Sequence, residues 1–435
     1  MKIRMRSRLS AVYLLGAFLI VASTANAQTF EIGTWGNFCQ GAMSHTFDDY
    51  PLNGATHIVS TGRDAFDAKK FHMTIFTITG GDNTSTWTAL DSAFAHGHEI
   101  ASHSVTHPSG TMPVTELGPS QLAIQQHVPG EKCATIAYPN CLSPGDNQAM
   151  QYYIAARNCS NSTNPKTPAN WAEITAKGFG TGQGGYPNDV ASLNNFSNGA
   201  ASSNGWAVAM HHGIGTDTHS WAVTNLDTLI KHLAYLDQNR DKIWVETFGN
   251  VARYIKERDS SKITVKSSNS TSITISLTNN MGKDSIFNYP LTVRTQLPTG
   301  WTTVIIKQGG KTVWDSMVTV NTTHYIMFKA VPNAGDVVLS QNAVSVIRQS
   351  IGHTSVDAAP VMRQKNTLHI DSRQFGASGC DVAFYDLQGK LLARYRLGVH
   401  ESSIVLTQDA FNGSVLLVKI TGSNKSYRGK FFPQW

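Results

Sequence analysis

Gly41–Asp49, GAMSHTFDD, runs from an apolar-leaning segment into two carboxylates, Asp48 and Asp49. Gly97–His107, GHEIASHSVTH, does the same with imidazoles: a short strand-like run, then His103 and His107 four residues apart. Residues at i and i+4 share one face of a helix or a tight turn. Two histidines and one carboxylate form a common ligand set for catalytic zinc, with a fourth position left for water. The second carboxylate is then free to act as a base on that water. Both polar groups follow an apolar run, and this placement decides the fold. In parallel α/β sheets the chemistry gathers at the carboxyl ends of the strands.

Working outward, short apolar runs alternate with helix-like stretches from Gln28 to about Arg258. Strands are expected at Met73–Thr79, His98–Ser102, Ala134–Tyr138, Trp206–Met210 and Ile243–Phe248. Helices are expected at Thr88–His96, Pro119–His127, Gln148–Asn158, Trp221–Asp237 and Asn250–Arg258. The clearest stripe is Leu226, Leu229, Ile230, Leu233 and Leu236. Such alternation predicts an α/β fold built on a distorted (β/α) barrel. Asp48–Asp49, His103, Pro139–Asn140 and His211–His212 all fall just after an expected strand. Between Ser160 and Gly205 the pattern fails, and Gly178–Gly185 and Asn194–Gly205 read as long polar surface loops.

After Asp259 short strands separated by Asn, Gly and Pro turns predict a β-sandwich over 260–340. A linker over 341–359 and a second small all-β domain over 360–435 follow. Residues 28–259 are thus the barrel, followed by two small all-β domains.

The chain has 435 residues, with 41% hydrophobic and 15% charged. Low charge with abundant Ser, Thr, Asn and Gly suits an extracellular, β-rich protein. The formal charge of +6 misleads, because Lys2, Arg4, Arg6 and Arg8 supply four of it and the remainder carries only +2. So small a balance gives no argument for a nucleic acid or an anionic membrane as partner. Residues 1–27 read as a secretory signal: a basic start, the apolar core Ala11–Ala22, and Ala25-Asn26-Ala27 as a cleavage site. An uncleaved anchor is the alternative. No later segment is long and apolar enough to span a membrane. Export permits disulfides among Cys39, Cys133, Cys141 and Cys159, with Cys380 left over; sequence does not choose the pairing.

With a second histidine pair, His211 and His212 in AVAMHHGIG, the chain resembles the NodB-homology polysaccharide deacetylases, carbohydrate esterase family 4. Their T-F-D-D motif is here Thr46–Asp49, and their H-[ST]-x-x-H motif is His103–His107. The resemblance covers roughly residues 40–255. It implies that Asp49, His103 and His107 bind a divalent metal ion, most simply zinc, and that Asp48 is the general base. Ala137–Cys141, AYPNC, matches the third motif, which makes the amide of Asn140 an oxyanion donor. The acid of the last motif is assigned to His212, with His211 as runner-up. Neighbours on a strand face opposite ways, so only one can enter the cleft.

Two departures stand out. The third motif usually begins with Arg, and here that position is Ala137. Arg157, in YYIAARNC, could reach Asp48 from the following helix instead; a surface arginine is the alternative. No clear D-x-x-D-W motif exists, and Asp189 and Trp171 are weak candidates for it. Trp35, Trp87 and Trp171 could stack on sugar rings or simply pack. His45, His57, His96, His98 and His127 read as structural or exposed. The segment from Val382–Lys390 onward resembles type IX secretion sorting domains, with a carbohydrate-binding or adhesion sandwich as the alternative.

The expected activity is secreted, metal-dependent hydrolysis of acetyl groups from an acetylated polysaccharide, with O-acetyl as in acetylxylan slightly preferred to N-acetyl. The rival expectation is a catalytically inactive, glycan-binding relative, motivated by Ala137.

Overall fold

Eight parallel strands make the central sheet: β1 Gly41–Tyr50, β2 Thr74–Thr77, β3 Glu99–Ser102, β4 Thr135–Ala137, β5 Ala155–Arg157, β6 Lys177–Gly178, β7 Trp206–His211 and β8 Ile243–Val245. Their spatial order is β5-β4-β3-β2-β1-β7-β6, and β8 pairs with the first residues of β1. The sheet curls until its edges meet, where Arg157 on β5 bridges Ile174 just ahead of β6. The fold is therefore the expected distorted α/β barrel. The computed structural model describes residues 28–341, apart from 53, 183–184, 218, 283–285, 302–303 and 321–322, together with parts of 361–431. The leader expected over 1–27, all but Gln341 of the linker expected over 341–359, and parts of both Val382–Lys390 and Gly413–Ile420 lie outside the described residues.

Both faces of the sheet are covered, so β1 is buried along its whole length, as parallel strands usually are. One face packs Phe47, Ile75, Ile100 and Ile136 against the helices. The other carries small residues, Ala42, Ala101, Ala137 and Ala155, which leave room inside the barrel for Phe76, Trp206 and Arg157.

The helices are α1 Arg63–Asp67, α2 Thr84–Ala95, α3 Leu117–His127, α4 Asp146–Ala149, α5 Val190–Ser203, α6 Leu226–Gln238 and α7 Phe248–Ser260. Side chains set their starts. Asn83 and Thr86 form a capping box on α2, Asp189 caps α5, Asn225 caps α6 and Thr247 caps α7. The amino end of α7 lies where β2, β3 and β4 begin. Glu99 there accepts hydrogen bonds from Thr74 Oγ1 (2.8 Å), Thr135 Oγ1 (2.6 Å) and the Gly249 N–H (2.7 Å). Phe248 closes that end against Phe76 and Trp206, with ring centroids 5.9 and 5.0 Å away. The opposite, carboxyl end of the strands stays open.

Several expectations are corrected. Gln148–Asn158 is not a helix: α4 ends at Ala149 and Ala155–Arg157 is the strand β5. The loop expected through Asn194–Gly205 is mostly α5, whose Leu193, Phe196 and Ala200 are buried beneath a polar outer face. Trp221 does not begin a helix, because Ala222–Thr224 is a strand and α6 starts after its Asn225 cap. Ile230, placed in the apolar stripe, faces solvent.

Residues 262–341 form two antiparallel sheets. One contains Lys262–Ser268, Ser272–Thr278, Val337–Gln341, Val304–Gln308 and Lys311–Thr312. The other contains Leu291–Gln296, Thr323–Ala330 and Asp315–Val320, and its edge is completed by Phe30–Ile32 from the start of the described chain. Those residues were expected to belong to the barrel; FEI is too short for its destination to be visible in the sequence. Barrel and sandwich share one apolar core, in which the Trp244 ring packs at a tilt against Tyr254 (4.9 Å) and Tyr289 (6.2 Å). The Tyr289 hydroxyl donates to Glu246 (2.9 Å) and the Tyr254 hydroxyl to the Gly33 carbonyl (2.7 Å).

The unit from Ser345 to Trp435 is separate. Its described part has a three-stranded and a four-stranded antiparallel sheet, with Ile370, Phe375, Val382, Phe384, Leu397, Val418 and Ile420 in the core.

Candidate metal centre

Alternation along a strand should send Asp48 and Asp49 to opposite faces. They escape this because the register between β1 and β2 shifts between Phe47 and Tyr50, and Asp49 takes a left-handed conformation, φ 70°. The bulge turns both carboxylates toward the open end of the barrel. His103 follows β3 directly. His107 is brought beside it by a tight turn, not a helix, with Ser104 at φ 67° and His107 at φ 53°. The Ser104 hydroxyl accepts the His107 N–H at 2.9 Å. Non-glycine residues rarely adopt these angles, and the surrounding contacts hold them there.

Asp49 Oδ1 lies 3.3 Å from Nε2 of His103 and 3.3 Å from Nε2 of His107. The three ligand atoms sit within 4.8 Å of one another. His103 Nδ1 lies 2.8 Å from the Ala137 carbonyl oxygen. A carbonyl only accepts, so the proton is on Nδ1 and the Nε2 lone pair points at Asp49. Asp49 Oδ1 is buried without a good hydrogen bond. A carboxylate oxygen facing two imidazole nitrogens at a separation too long for strong charge-assisted bonds fits a small divalent cation.

Asp48 lies beside this cluster, its Oδ2 3.9 Å from His103 Nε2. It is paired with Arg157 Nη2, and both side chains are buried. Arg157 comes from β5, not from a helix, and sits across from Ala137 in the β4–β5 register. The small side chain at 137 leaves the space that the guanidinium crosses on its way to Asp48, passing over the Phe76 ring at 5.4 Å.

The centre opens into a cleft of about 520 Å³ lined by Asp48, Asp49, His103, His107, Asn140 and His212 on its polar surface. Asn140 is in the turn after β4, at φ 54°, with its side chain donating to the Pro108 carbonyl at 2.9 Å. A disulfide, Cys141–Cys159, ties that turn to the end of β5. His212 faces the cleft, and its Nδ1 is buried with no partner among the described residues. Burial lowers its pKa, against the pull of Asp48 and Asp49. His211 faces the other way, into the helical layer, with His45 at 3.1 Å and Thr224 Oγ1 at 2.9 Å.

Residues 36–141 match the family model described as polysaccharide deacetylase. This stretch is similar to polysaccharide deacetylases. The matched stretch holds Asp48, Asp49, His103, His107 and Asn140; Arg157 and His212 lie beyond it. A gellan lyase from a Bacillus species is 27% identical over 409 residues, or 88% of this chain, yet the chain spans only 16% of the length of that curated relative. Among solved structures, the chain is similar to the Xyl-CE4 domain of a multidomain xylanase from the hindgut metagenome of Trinervitermes trinervoides, with 19% identity, TM-score 0.33, and 48% of this chain and 89% of that one covered. It is also similar to a family 4 acetyl xylan esterase from Clostridium thermocellum, with 17% identity, TM-score 0.27, and 47% and 98% covered. A peptidoglycan deacetylase from Bacillus subtilis aligns with 15% identity, TM-score 0.31, and 51% and 93% covered. Likenesses this loose carry no argument about substrate.

The remaining candidates sit elsewhere. Trp35 is wholly buried and cannot stack on a sugar. Trp87 stacks on His127 at 4.5 Å, and Trp171 is covered by Lys256 at 4.0 Å; neither lines the cleft. Asp189 caps α5 at the surface. Sequence reasoning missed Tyr186, His219 and Trp221, which do line the cleft. The available signal was the Asn225 cap, which excludes Trp221 from the helix that follows.

Proposed function

We propose that the chain is a secreted, metal-dependent deacetylase that hydrolyses acetyl groups on a polysaccharide. The observation that carries this reading is the buried Asp49–His103–His107 cluster, with Asp48 held beside it by Arg157. Asp49, His103 and His107 would hold the ion, and zinc is the metal best suited to that donor set. A divalent ion there supplies Lewis acidity, polarising an acyl carbonyl and making water easier to deprotonate.

The protein's own groups do the rest. Asp48 accepts the proton of the attacking water, and Arg157 keeps that carboxylate aimed. The Asn140 N–H faces the oxyanion that forms at the acetyl carbon. His212 delivers a proton to the leaving oxygen or nitrogen as the acyl bond breaks, giving acetate and a hydroxyl or amine.

An O-acetyl substrate is preferred slightly to an N-acetyl one, because an amine leaves less readily and leans harder on the acid. Similarity to part of a gellan lyase is in keeping with a polymer substrate. An inactive relative was suggested by Ala137, and the Asp48–Arg157 pair removes that reason. Export through the leader, and sorting through the carboxyl-terminal unit, belong to the same proposal.

The test is metal analysis of the purified full chain, combined with acetate release from acetylxylan, chitooligosaccharides and peptidoglycan. Bound metal and released acetate, both lost in Asp49→Ala, are expected. Metal-loaded protein that releases no acetate from any of the three would leave only glycan binding.

A further inference from the structure

We propose that Trp221 and Tyr186 form the wall that binds the departing sugar ring, and that Asp217 is the positioning residue that fixes this wall. The proposal rests on the deacetylase reading and narrows its substrate to an acetyl group on a ring within an uncharged glycan.

Besides the metal cluster and the Asn140–Cys141 turn, the cleft is lined by Tyr138, Tyr186, Met210, His212, His219 and Trp221. The acid of the reaction must reach the leaving atom, and that atom belongs to the sugar. The ring therefore lies beside His212, and the pairing of Gly213 with Val223 brings Trp221 into that neighbourhood, while Tyr138 is too buried to offer a face. Trp221 is 43% exposed, a large apolar face open in a cleft, and a flat ring covers the apolar face of a pyranose. Tyr186 stands over Gly178 on β6; a Cβ at 178 would come within 2.7 Å of three atoms of the phenol ring. That close seat fixes the ring's position. No Lys or Arg is among the described residues lining the cleft, so a polyanion finds no counter-charge there.

The wall is built into the fold. Gly213–Ile214 pairs in parallel with Val223–Thr224, and Ala222–Val223 pairs antiparallel with Thr181–Gly182. This small sheet joins the segment carrying Trp221 to the one leading to Tyr186. Asp217 is a buried carboxylate with no role in the proposed chemistry. It accepts from the Ile214 N–H (2.8 Å), Thr56 N–H (3.2 Å), Thr56 Oγ1 (3.0 Å) and His57 N–H (3.3 Å), and pairs with His57 Nδ1 at 2.5 Å. It thereby pins the loop bearing His219 and Trp221 to the Thr56–His57 segment. A Cβ at Gly213 would lie 2.7 Å from Asp217 and from Ser220, so the loop folds tightly on itself.

The experiment uses the metal-loaded full chain with acetylated xylohexaose, chitohexaose and p-nitrophenyl acetate, and calorimetric titration of metal-free protein with xylohexaose and chitohexaose. Trp221→Ala is expected to raise KM for the oligosaccharide turned over, and to weaken calorimetric binding, by about tenfold, with a much smaller loss on p-nitrophenyl acetate. Trp221→Tyr restores most of the loss. Asp217→Asn raises KM in the same way while kcat is largely kept, which a merely destabilising change would not do. KM and affinity in Trp221→Ala within about twofold of the parent, or equal losses on all substrates, overturn the proposal. If the parent chain releases no acetate from any substrate, the deacetylase reading fails, and calorimetry on the parent and Trp221→Ala still decides whether the wall binds sugar.

Discussion

Asp49, Ser104, His107 and Asn140 all have positive φ, and each is at the cleft or one residue from a group that lines it. These angles cost energy, and local contacts maintain them. For His107 the holding contact is the Ser104 hydroxyl on its N–H. Ser104→Ala should therefore weaken metal affinity by about tenfold or more while leaving the fold intact, which a metal titration with parallel melting curves checks. Arg157→Ala should lower kcat about a hundredfold with metal affinity kept, and should cost roughly 3 kcal/mol because Asp48 stays buried without its partner. Steady-state kinetics and denaturant unfolding measure both, and unchanged turnover would remove Arg157 from the mechanism. The ligand residues were legible because their types and spacing survive without a structure. The bulge was not: alternation was applied to His211 and His212, where it separates them, but the same rule sets Asp48 against Asp49 unless the strand breaks register. Arg157 was named from sequence for the right partner but on the wrong element. Its signal was the small residue at 137, which a neighbouring strand exploits.

The turn after β4 and the end of β5 work as one piece. The Cys141–Cys159 disulfide joins the segment holding Asn140 to the strand holding Arg157. Replacing both cysteines by alanine should cost about 3 kcal/mol, the usual value for a loop of this size, and should lower kcat more than it changes KM. Thermal unfolding and kinetics on a soluble acetyl ester separate the two effects. β5 itself was unreadable as a strand because it is three residues long and lies inside Gln148–Asn158, a run whose pattern reads as helical. α5 was unreadable for the opposite reason: Asn, Ser and Gly fill its outer face, and only Leu193, Phe196, Ser197 and Ala200 are buried. Strong stripes and caps, as in α6, were visible; short or polar elements were decided by the sheet around them.

At the scale of the molecule, buried titratable groups set the response to acid. His45, His211 and His232 cluster between the sheet and α6. Burial pushes His211 and His232 down to about 3, and His45 well below the ordinary 6.5. The unfolded chain takes up these protons first, so stability falls as pH drops from 6.5, by on the order of 1 kcal/mol per pH unit for each group. Burial lifts Asp82, Glu131 and Glu257 to about 7. They protonate first in the folded state, so they add stability as pH falls toward their ordinary values of 3.8 and 4.5. The two sets oppose each other down to about 4.5. In buffer containing chelator, Tm should change little from pH 6.5 to 4.5 and then drop steeply toward 3. A steady decline from 6.5, or no decline at all, would contradict this balance. The edge strand Phe30–Ile32 bears on the order of events during synthesis. Glu31 meets Arg294 across 263 positions of chain, so a ribosome must make the whole barrel and part of the sandwich before that seam can close. Until then Phe30–Ile32 has no partner strand, and clipping it off would leave the finished protein with an unsealed sheet margin open to pairing with another copy.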